Sequence, residues 1–279
     1  MINYTENYFD LELLRLSEIR LHEATENIRL RNIYNRISKS KYLINPVIVG
    51  RHNDEIILLD GANRYGSLKE IGCKLILAQV LDYKDPDLKL EKWNHLVYDF
   101  DINKIKTICD ENSYLYTYTS YPEGLKMLEN NFNYLLAADI SREENILIKL
   151  SNRLKELLFQ IDMITKLYFK HNPFDRSECD IEYSDLKKYT RRKEGVLIVF
   201  PTFQKQHIVI IANNNHRLPA GISRHRIQNR VLHVKYEIKK LMSDKNLEGK
   251  QEELKEMLNE KIDKNKVRQY QESVIVFDE

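Results

Sequence analysis

The absences in this chain narrow its chemistry before any motif does. Cysteine is scarce: Cys73, Cys109 and Cys179 are the three in 279 residues. Their spacing fits neither a set of metal ligands nor a redox pair, which excludes cysteine-based metal and disulfide-exchange sites and leaves reduced thiols of a cytosolic protein as the expectation. No apolar run reaches the length needed to cross a bilayer, and Met1-Ile2-Asn3-Tyr4-Thr5-Glu6 has no signal-peptide pattern. A cytoplasmic location without a membrane partner is therefore expected. An excess of one charge is missing too, since 44 Lys and Arg against 42 Asp and Glu leave a net charge of +2. A dedicated nucleic-acid binder carries a basic stripe or patch. Here the basic residues form small clusters, Arg191-Arg192-Lys193 and the arginines between Arg15 and Arg36, which read as solvated helix faces. There is no internal repeat and no low-complexity segment. What is present, 42% hydrophobic and 31% charged residues, suffices for one large domain or two modest ones.

The most informative stretch is Leu58-Leu59-Asp60-Gly61-Ala62-Asn63-Arg64-Tyr65. Glu55 to Leu59 has the apolar pattern of a buried strand, and Gly61 permits a sharp turn that a residue with a Cβ would resist. Asn63 to Gly72 reads as a helix with Leu68 and Ile71 inward and Gly72 as its stop. The unpaired amides at such a helix start favour an anion, and Arg64 adds a fork suited to phosphate. Asp60 supplies a carboxylate beside that site, where Mg2+ could bridge to phosphate. The same junction could also be a plain turn, with Asp capping the helix and Arg solvated.

The surrounding order weighs against the plain turn. Leu16-Ser17-Glu18-Ile19-Arg20-Leu21-His22-Glu23 precedes a helical segment around Ile28 to Ile37, an Asn45-Pro46 turn and the strand Val47-Ile48-Val49; Leu75 to Leu81 follows as a further strand. This sequence of elements resembles the nucleotide-binding domain shared by ParB proteins and sulfiredoxins, and within that superfamily it is most similar to the free L-serine kinases, siderophore-pathway and archaeal members included. Leu218-Pro219-Ala220-Gly221-Ile222-Ser223-Arg224-His225 is similar to a second segment of those kinases. The resemblance covers residues 14–100, is patchy in the middle and returns from about Pro219.

The resemblance implies an α+β fold, with a ParB/sulfiredoxin-like nucleotide-binding domain over residues 1–100, a C-terminal mixed domain over 101–279 that contributes to the substrate pocket, and a cleft between the two lobes. It implies phosphoryl transfer from ATP or ADP to the hydroxyl of a free amino acid, L-serine first, with nucleotide and amino acid as partners. Glu23 is then the carboxylate that takes the hydroxyl proton, with His22 as a lesser candidate able to orient Glu23 or a phosphate. Asp60 serves beside magnesium; Gly61, Ala62, Asn63 and Arg64 serve the nucleotide. Trp93, Ser223, Arg224 and His225 line the substrate side, Arg224 as the carboxylate partner because a guanidinium binds carboxylates in two-pronged fashion. On composition alone a Glu at a helix start, a lone His and a single Trp are each more often structural.

Two departures shape the function further. Ala62 stands where sulfiredoxins carry their reactive cysteine, and alanine has no nucleophile for sulfinic-acid repair. Partition proteins of the ParB kind follow the domain with a Glu-Asn-x-Gln-Arg motif and a helix-turn-helix, and neither follows residue 80; Glu26-Asn27-Ile28-Arg29 looks like that motif but precedes the phosphate turn. A ParB-like nucleotide-dependent DNA-binding regulator is therefore the alternative, with DNA not favoured as partner. A degenerate nucleotide-binding module is a third reading, opposed by the joint presence of Glu23, Asp60, Arg64 and Arg224.

Beyond the first domain, Leu88 to Tyr98 partly alternates and is expected as one strand. Leu125 to His171 is expected to be mostly helical, with Ile146, Ile148, Leu150, Leu154, Leu157 and Leu158 on the inner face. Asn172-Pro173 and Asp175 to Cys179 break the pattern. Gly195 to Phe200 reads as a strand, Gln204 to Asn213 as strand or helix, Leu241 to Ile262 as a charged helix pair and Ser273 to Phe277 as a closing strand. Tyr114-Leu115-Tyr116-Thr117-Tyr118 reads as a surface strand.

Overall fold

The computed structural model describes residues 9–177 and 195–270. Cys179, Arg191-Arg192-Lys193 and the expected strand at Ser273 to Phe277 lie outside the described residues.

Short runs of Leu, Ile and Val build the first sheet. Strands β1 (Leu11–Arg15), β2 (Ile19–Arg20), β4 (Val47–His52), β5 (Glu55–Asp60) and β6 (Leu75–Asp82) lie in the order β1-β6-β4-β5-β2. The pairs β1/β6 and β4/β5 are antiparallel, and β4/β6 and β2/β5 are parallel. Two helices, α1 (Asn27–Ser38) and α2 (Ala62–Ile71), accompany this sheet. The start and stop of α2 are glycines in the left-handed region, Gly61 at φ +96° and Gly72 at φ +94°, as the sequence predicts. A short strand β3 (Tyr42–Leu43) pairs with β15 (Tyr236–Glu237).

A second, antiparallel sheet holds β8 (Asn94–Tyr98), β9 (Tyr116–Tyr118), β10 (Tyr134–Asp139), β11 (Glu144–Lys149), β12 (Phe174–Ser177) and β13 (Gly195–Val199), in the order β12-β8-β13-β10-β11-β9. It corrects the expected helical stretch from Leu125 to His171. Only α4 (Tyr121–Asn130) and α5 (Leu154–Lys166) are helical there, and the β10–β11 hairpin lies between them. The physical reason is burial on both faces. Leu135, Ala137, Ile146 and Ile148 enter one core, with Leu157, Leu158 and Ile161 of α5. Leu136, Ala138 and Leu147 enter another, with Tyr121 and Leu128 of α4. A strand covered on both sides reads as a continuous apolar run, which periodicity alone cannot tell from a buried helix.

A further expectation changes. Leu88 to Tyr98 is two strands rather than one: β7 (Lys89–Lys92) pairs with β14 (Ser223–Arg226), whereas β8 joins the second sheet, and the break falls at Trp93. The helical pattern is broken by Pro173 as expected, and the residues after it pair as the edge strand β12, which the sequence does not predict. Gln204 to Asn213 resolves as the helix α6 (Lys205–Asn213), and the C-terminal helices are α7 (Ile238–Leu241) and α8 (Leu247–Asp263), with α3 (Asn103–Glu111) completing the set among the described residues.

Strand β5 is the wall between the two main cores. Ile56 and Leu58 face the core of the first sheet, while Ile57 and Leu59 join the larger core shared with the second. Val234, Tyr236, Ile238, Leu241 and Leu254 fold back onto the first core. The end of β5, at Asp60, is therefore anchored from both sides.

Candidate active site

A cavity of about 650 Å³ opens where β5 ends. All the residues singled out from the sequence line it: His22, Glu23, Asp60 to Arg64, Trp93 and Ser223 to His225. They come from four separate stretches of chain, brought together by β5, by the β7/β14 pair and by a backbone link between residues 22–24 and Leu218. In that link the Leu218 N–H donates to the His22 carbonyl and the Ala24 N–H donates to the Leu218 carbonyl, each at 2.8 Å.

One side of the cavity is built to receive an anion. The β4/β5 ladder slips beside it, with Ile48 opposite Asp60 but Val49 opposite Leu58, so Leu59 is skipped and Asp60 leaves the regular rhythm of the strand. Asp60 Oδ2 accepts from Arg64 Nη2 at 2.9 Å and from Arg230 Nη1 at 3.2 Å. Tyr65 is the residue whose N–H reaches the Gly61 carbonyl, at 2.9 Å. The amides of Ala62, Asn63 and Arg64 precede that bond and, as at any helix start, have no intrahelical acceptor. The side chains add one unmet donor, Arg64 Nε, and one unmet acceptor, Asn63 Oδ1, which would take a donor of the ligand and not its anionic oxygens; both are buried without a hydrogen-bond partner. Such atoms are rare in folded proteins, and together with the helix start they mark a place where a ligand completes the bonding.

The opposite side holds a carboxylate with raised proton affinity. Glu23 Oε1 accepts the N–H of Ile222 at 2.9 Å, the N–H of Ser223 at 3.2 Å and the Ser223 hydroxyl at 3.4 Å. Burial nevertheless wins and pushes the Glu23 carboxyl up to about 7; the donors at Ile222 and Ser223 and the charge of Arg176 pull it back only in part. His22 Nε2 lies 2.9 Å from the Ser223 hydroxyl, and burial lowers the imidazole to about 4, so it is neutral at pH 7. The direction of the His22–Ser223 hydrogen bond follows the imidazole tautomer: the Ser223 hydroxyl donates to Glu23 when His22 carries its proton on Nε2, and to His22 when it carries it on Nδ1. His225 stands behind, 4% exposed, edge-on to His22 at 5.4 Å between ring centres. Its Nε2 lies 3.0 Å from the Tyr83 hydroxyl, and burial holds it well below the usual imidazole range.

Trp93 and Arg224 form the remaining wall. The Arg224 guanidinium lies 4.2 Å from the centre of the Trp93 ring and 3.8 Å from Glu91. Sequence reading missed four charged groups here: Glu26 and Arg176, which pair with each other, Arg230 on Asp60, and Arg29, which it placed on a solvated helix face. Arg176 sits in the stretch without a recognisable pattern, and nothing in its local sequence marks it.

Among the described residues no group of three or more His, Cys, Asp or Glu could hold a metal ion. Magnesium in phosphoryl-transfer sites takes one or two carboxylates and completes its shell with substrate phosphate and water. Asp60, beside a helix start with unmet polar atoms, fits that requirement.

No family model matches the chain. Over 88 residues, 31% of the chain, it is 30% identical to the ATP-dependent L-serine kinase SbnI of Staphylococcus aureus, and the aligned stretch spans 34% of that relative. Among solved structures, C-terminally truncated SbnI from Staphylococcus aureus superposes with a TM-score of 0.72 at 20% identity, covering 92% of this chain and 99% of that one. A free serine kinase in complex with AMP superposes with a TM-score of 0.67 at 14% identity, covering 83% of this chain and 93% of that one. The resemblance to free serine kinases is borne out, and the mixed α+β fold is the fold of those proteins.

Proposed function

We propose that the chain is a small-molecule kinase, a phosphotransferase moving a phosphoryl group from ATP or ADP to the hydroxyl of a free amino acid, with L-serine as the first acceptor and O-phospho-L-serine as the product. One observation carries this reading: Glu23, a carboxylate whose proton affinity is raised toward neutrality, shares a single cavity with the anion-receptive turn at Gly61 to Arg64. The likeness to an ATP-dependent L-serine kinase and to a free serine kinase bound to AMP supports the choice of donor and acceptor.

The chemistry follows from the positions. The acceptor hydroxyl gives its proton to Glu23 as its oxygen forms a bond to the terminal phosphorus, and the bond between that phosphorus and the leaving nucleotide oxygen breaks. Phosphoryl transfer depends on alignment and on meeting the charge spread over the moving group. Arg64 and the amides of Ala62 and Asn63 meet that charge on the nucleotide side. Asp60 would hold magnesium, which when bound neutralises phosphate charge. Trp93, Ser223 and Arg224 wall the acceptor side, with His225 behind them, and His22 fixes the Ser223 hydroxyl and through it Glu23.

On this reading residues 1–100 form the ParB/sulfiredoxin-like nucleotide-binding domain and also bring Glu23 and Trp93, residues 101–279 form the C-terminal domain that contributes to the substrate pocket, the cavity is the cleft between them and the protein works in the cytoplasm. The near-balanced charge supports a small-molecule role over the DNA-binding alternative. The test is phosphorus NMR of the protein with magnesium, L-serine and either ATP or ADP. A phosphomonoester signal that requires serine is expected and identifies the donor. Absence of any phosphomonoester with serine and related hydroxy amino acids, with nucleotide bound, would reject the kinase reading.

A further inference from the structure

The cavity holds an ion pair that the chemistry above leaves unused. Arg176, on β12, and Glu26, the residue before α1, are 150 positions apart in the chain and joined through Arg176 Nη2 and Glu26 Oε1. Both side chains line the cavity, and each is 25% exposed. The plane of the Arg176 guanidinium packs against Gly221, where a Cβ would lie 2.2 to 2.6 Å from Nε, Nη2 and Cζ. Gly221 takes φ +75°, and its carbonyl is held by His95 Nε2 at 2.9 Å, so the turn is fixed over the guanidinium. The next two amides of that turn, Ile222 and Ser223, are the ones that grip Glu23. Arg176 is thus placed beside the carboxylate that faces the acceptor hydroxyl.

Arg176 also has a donor to spare. Its Nε is buried and has no hydrogen-bond partner. An unmet donor on a charged group is costly, and an acceptor arriving with a ligand would remove that cost. Arg224 is engaged differently, stacked on Trp93 and facing Glu91.

A free hydroxy amino acid carries its carboxylate and ammonium on one carbon, a single methylene from the hydroxyl in the case of serine. A site that holds the hydroxyl at Glu23 therefore needs a cation and an anion next to it, close to each other. Resting on the kinase reading, we infer that Arg176 and Glu26 read the zwitterionic head of the substrate, Arg176 taking the carboxylate with its fork and Glu26 taking the ammonium. In the structure the two neutralise one another. When the zwitterion enters, each charge exchanges part of its partner for the opposite charge of the ligand, and the local balance is kept. This favours a free amino acid over acceptors that carry only one of the two charges.

The experiment uses the full chain and three acceptors: L-serine, ethanolamine, which lacks the carboxylate, and 3-hydroxypropionate, which lacks the ammonium. For Arg176→Met the ratio of kcat/KM for serine over ethanolamine is expected to fall about 10- to 100-fold, the range for loss of a charge-assisted fork. For Glu26→Gln the ratio of serine over 3-hydroxypropionate is expected to fall by about 10-fold. A variant that is merely misfolded, or whose Glu23 titrates differently, slows all acceptors alike and leaves the ratios unchanged, and unchanged ratios overturn the assignment. A collapse of the serine-over-ethanolamine ratio in Arg224→Met but not in Arg176→Met overturns it as well. Calorimetric binding of L-serine to the same proteins separates this claim from the reading it rests on. Serine binding that weakens in Arg176→Met without phosphoryl transfer in the parent would uphold the head-group assignment and reject the kinase. No serine binding to the parent would reject the assignment.

Discussion

Glu23 and Ser223 lie 200 residues apart, yet one carboxylate oxygen of Glu23 accepts both the backbone N–H of Ser223, at 3.2 Å, and its hydroxyl, at 3.4 Å. The first sheet and the segment after Leu218 thus meet at the group with the most shifted carboxyl in the cavity. What Glu23 does is set by residues that the sequence brings back only near its C-terminal end.

The pH dependence of turnover should show this. The base works only when deprotonated, so kcat is expected to rise with pH through about 7, the value to which burial brings Glu23. Ser223→Ala removes a donor that favours the charged form, and the midpoint should move to higher pH. A profile flat from pH 5.5 to 8.5 would remove Glu23 from the proton transfer.

The β5–α2 turn predicts a separate effect. Gly61 has φ +96°, and a Cβ there would lie 2.8 Å from both Arg64 Nη2 and Val47 Cγ1. Gly61→Ala is expected to cost about 1–2 kcal/mol from the left-handed backbone and to displace Arg64. A raised KM for nucleotide with little change for serine is the outcome to look for in steady-state kinetics. An equal rise for both substrates would show that the turn does not serve the nucleotide alone.

Stability should fall in mild acid. His22, His95 and His225 are buried, and burial lowers all three, the first two to about 4. From pH 6.5 downward the unfolded chain takes up protons that the folded one refuses, so each histidine lowers stability by up to about 1.4 kcal/mol per pH unit. Glu23 acts in the opposite sense between 7 and 4.5, because the folded state keeps its proton. Its gain offsets roughly one histidine. Denaturant midpoints measured from pH 7 to 5 should therefore decline, and a constant midpoint would contradict the buried neutral imidazoles.

How much of this the sequence discloses depends on the kind of signal. The turn at Asp60-Gly61 and the stop at Gly72 are legible because glycine with positive φ punctuates a strand and a helix. Glu23, Asp60, Arg64 and Arg224 are legible through two separated motifs in the right order, and the structure places them on one cavity. The β10–β11 hairpin is not legible, because Leu135 to Ala138 are buried on both faces and their run lacks the alternation that marks a strand. Trp93 divides two strands of different sheets without a glycine or proline to announce it. Arg176 reaches the site through pairing of β12 with β8, a long-range contact that no local pattern encodes.

The most direct measurement compares the parent protein with Glu23→Gln, each with magnesium, L-serine and ATP or ADP, quantifying O-phospho-L-serine by mass spectrometry and nucleotide binding by calorimetry. The account predicts product from the parent, a loss of about 10²- to 10⁴-fold in Glu23→Gln, and retained nucleotide affinity in both. Undiminished product from Glu23→Gln, or none from the parent while it binds nucleotide, would contradict it.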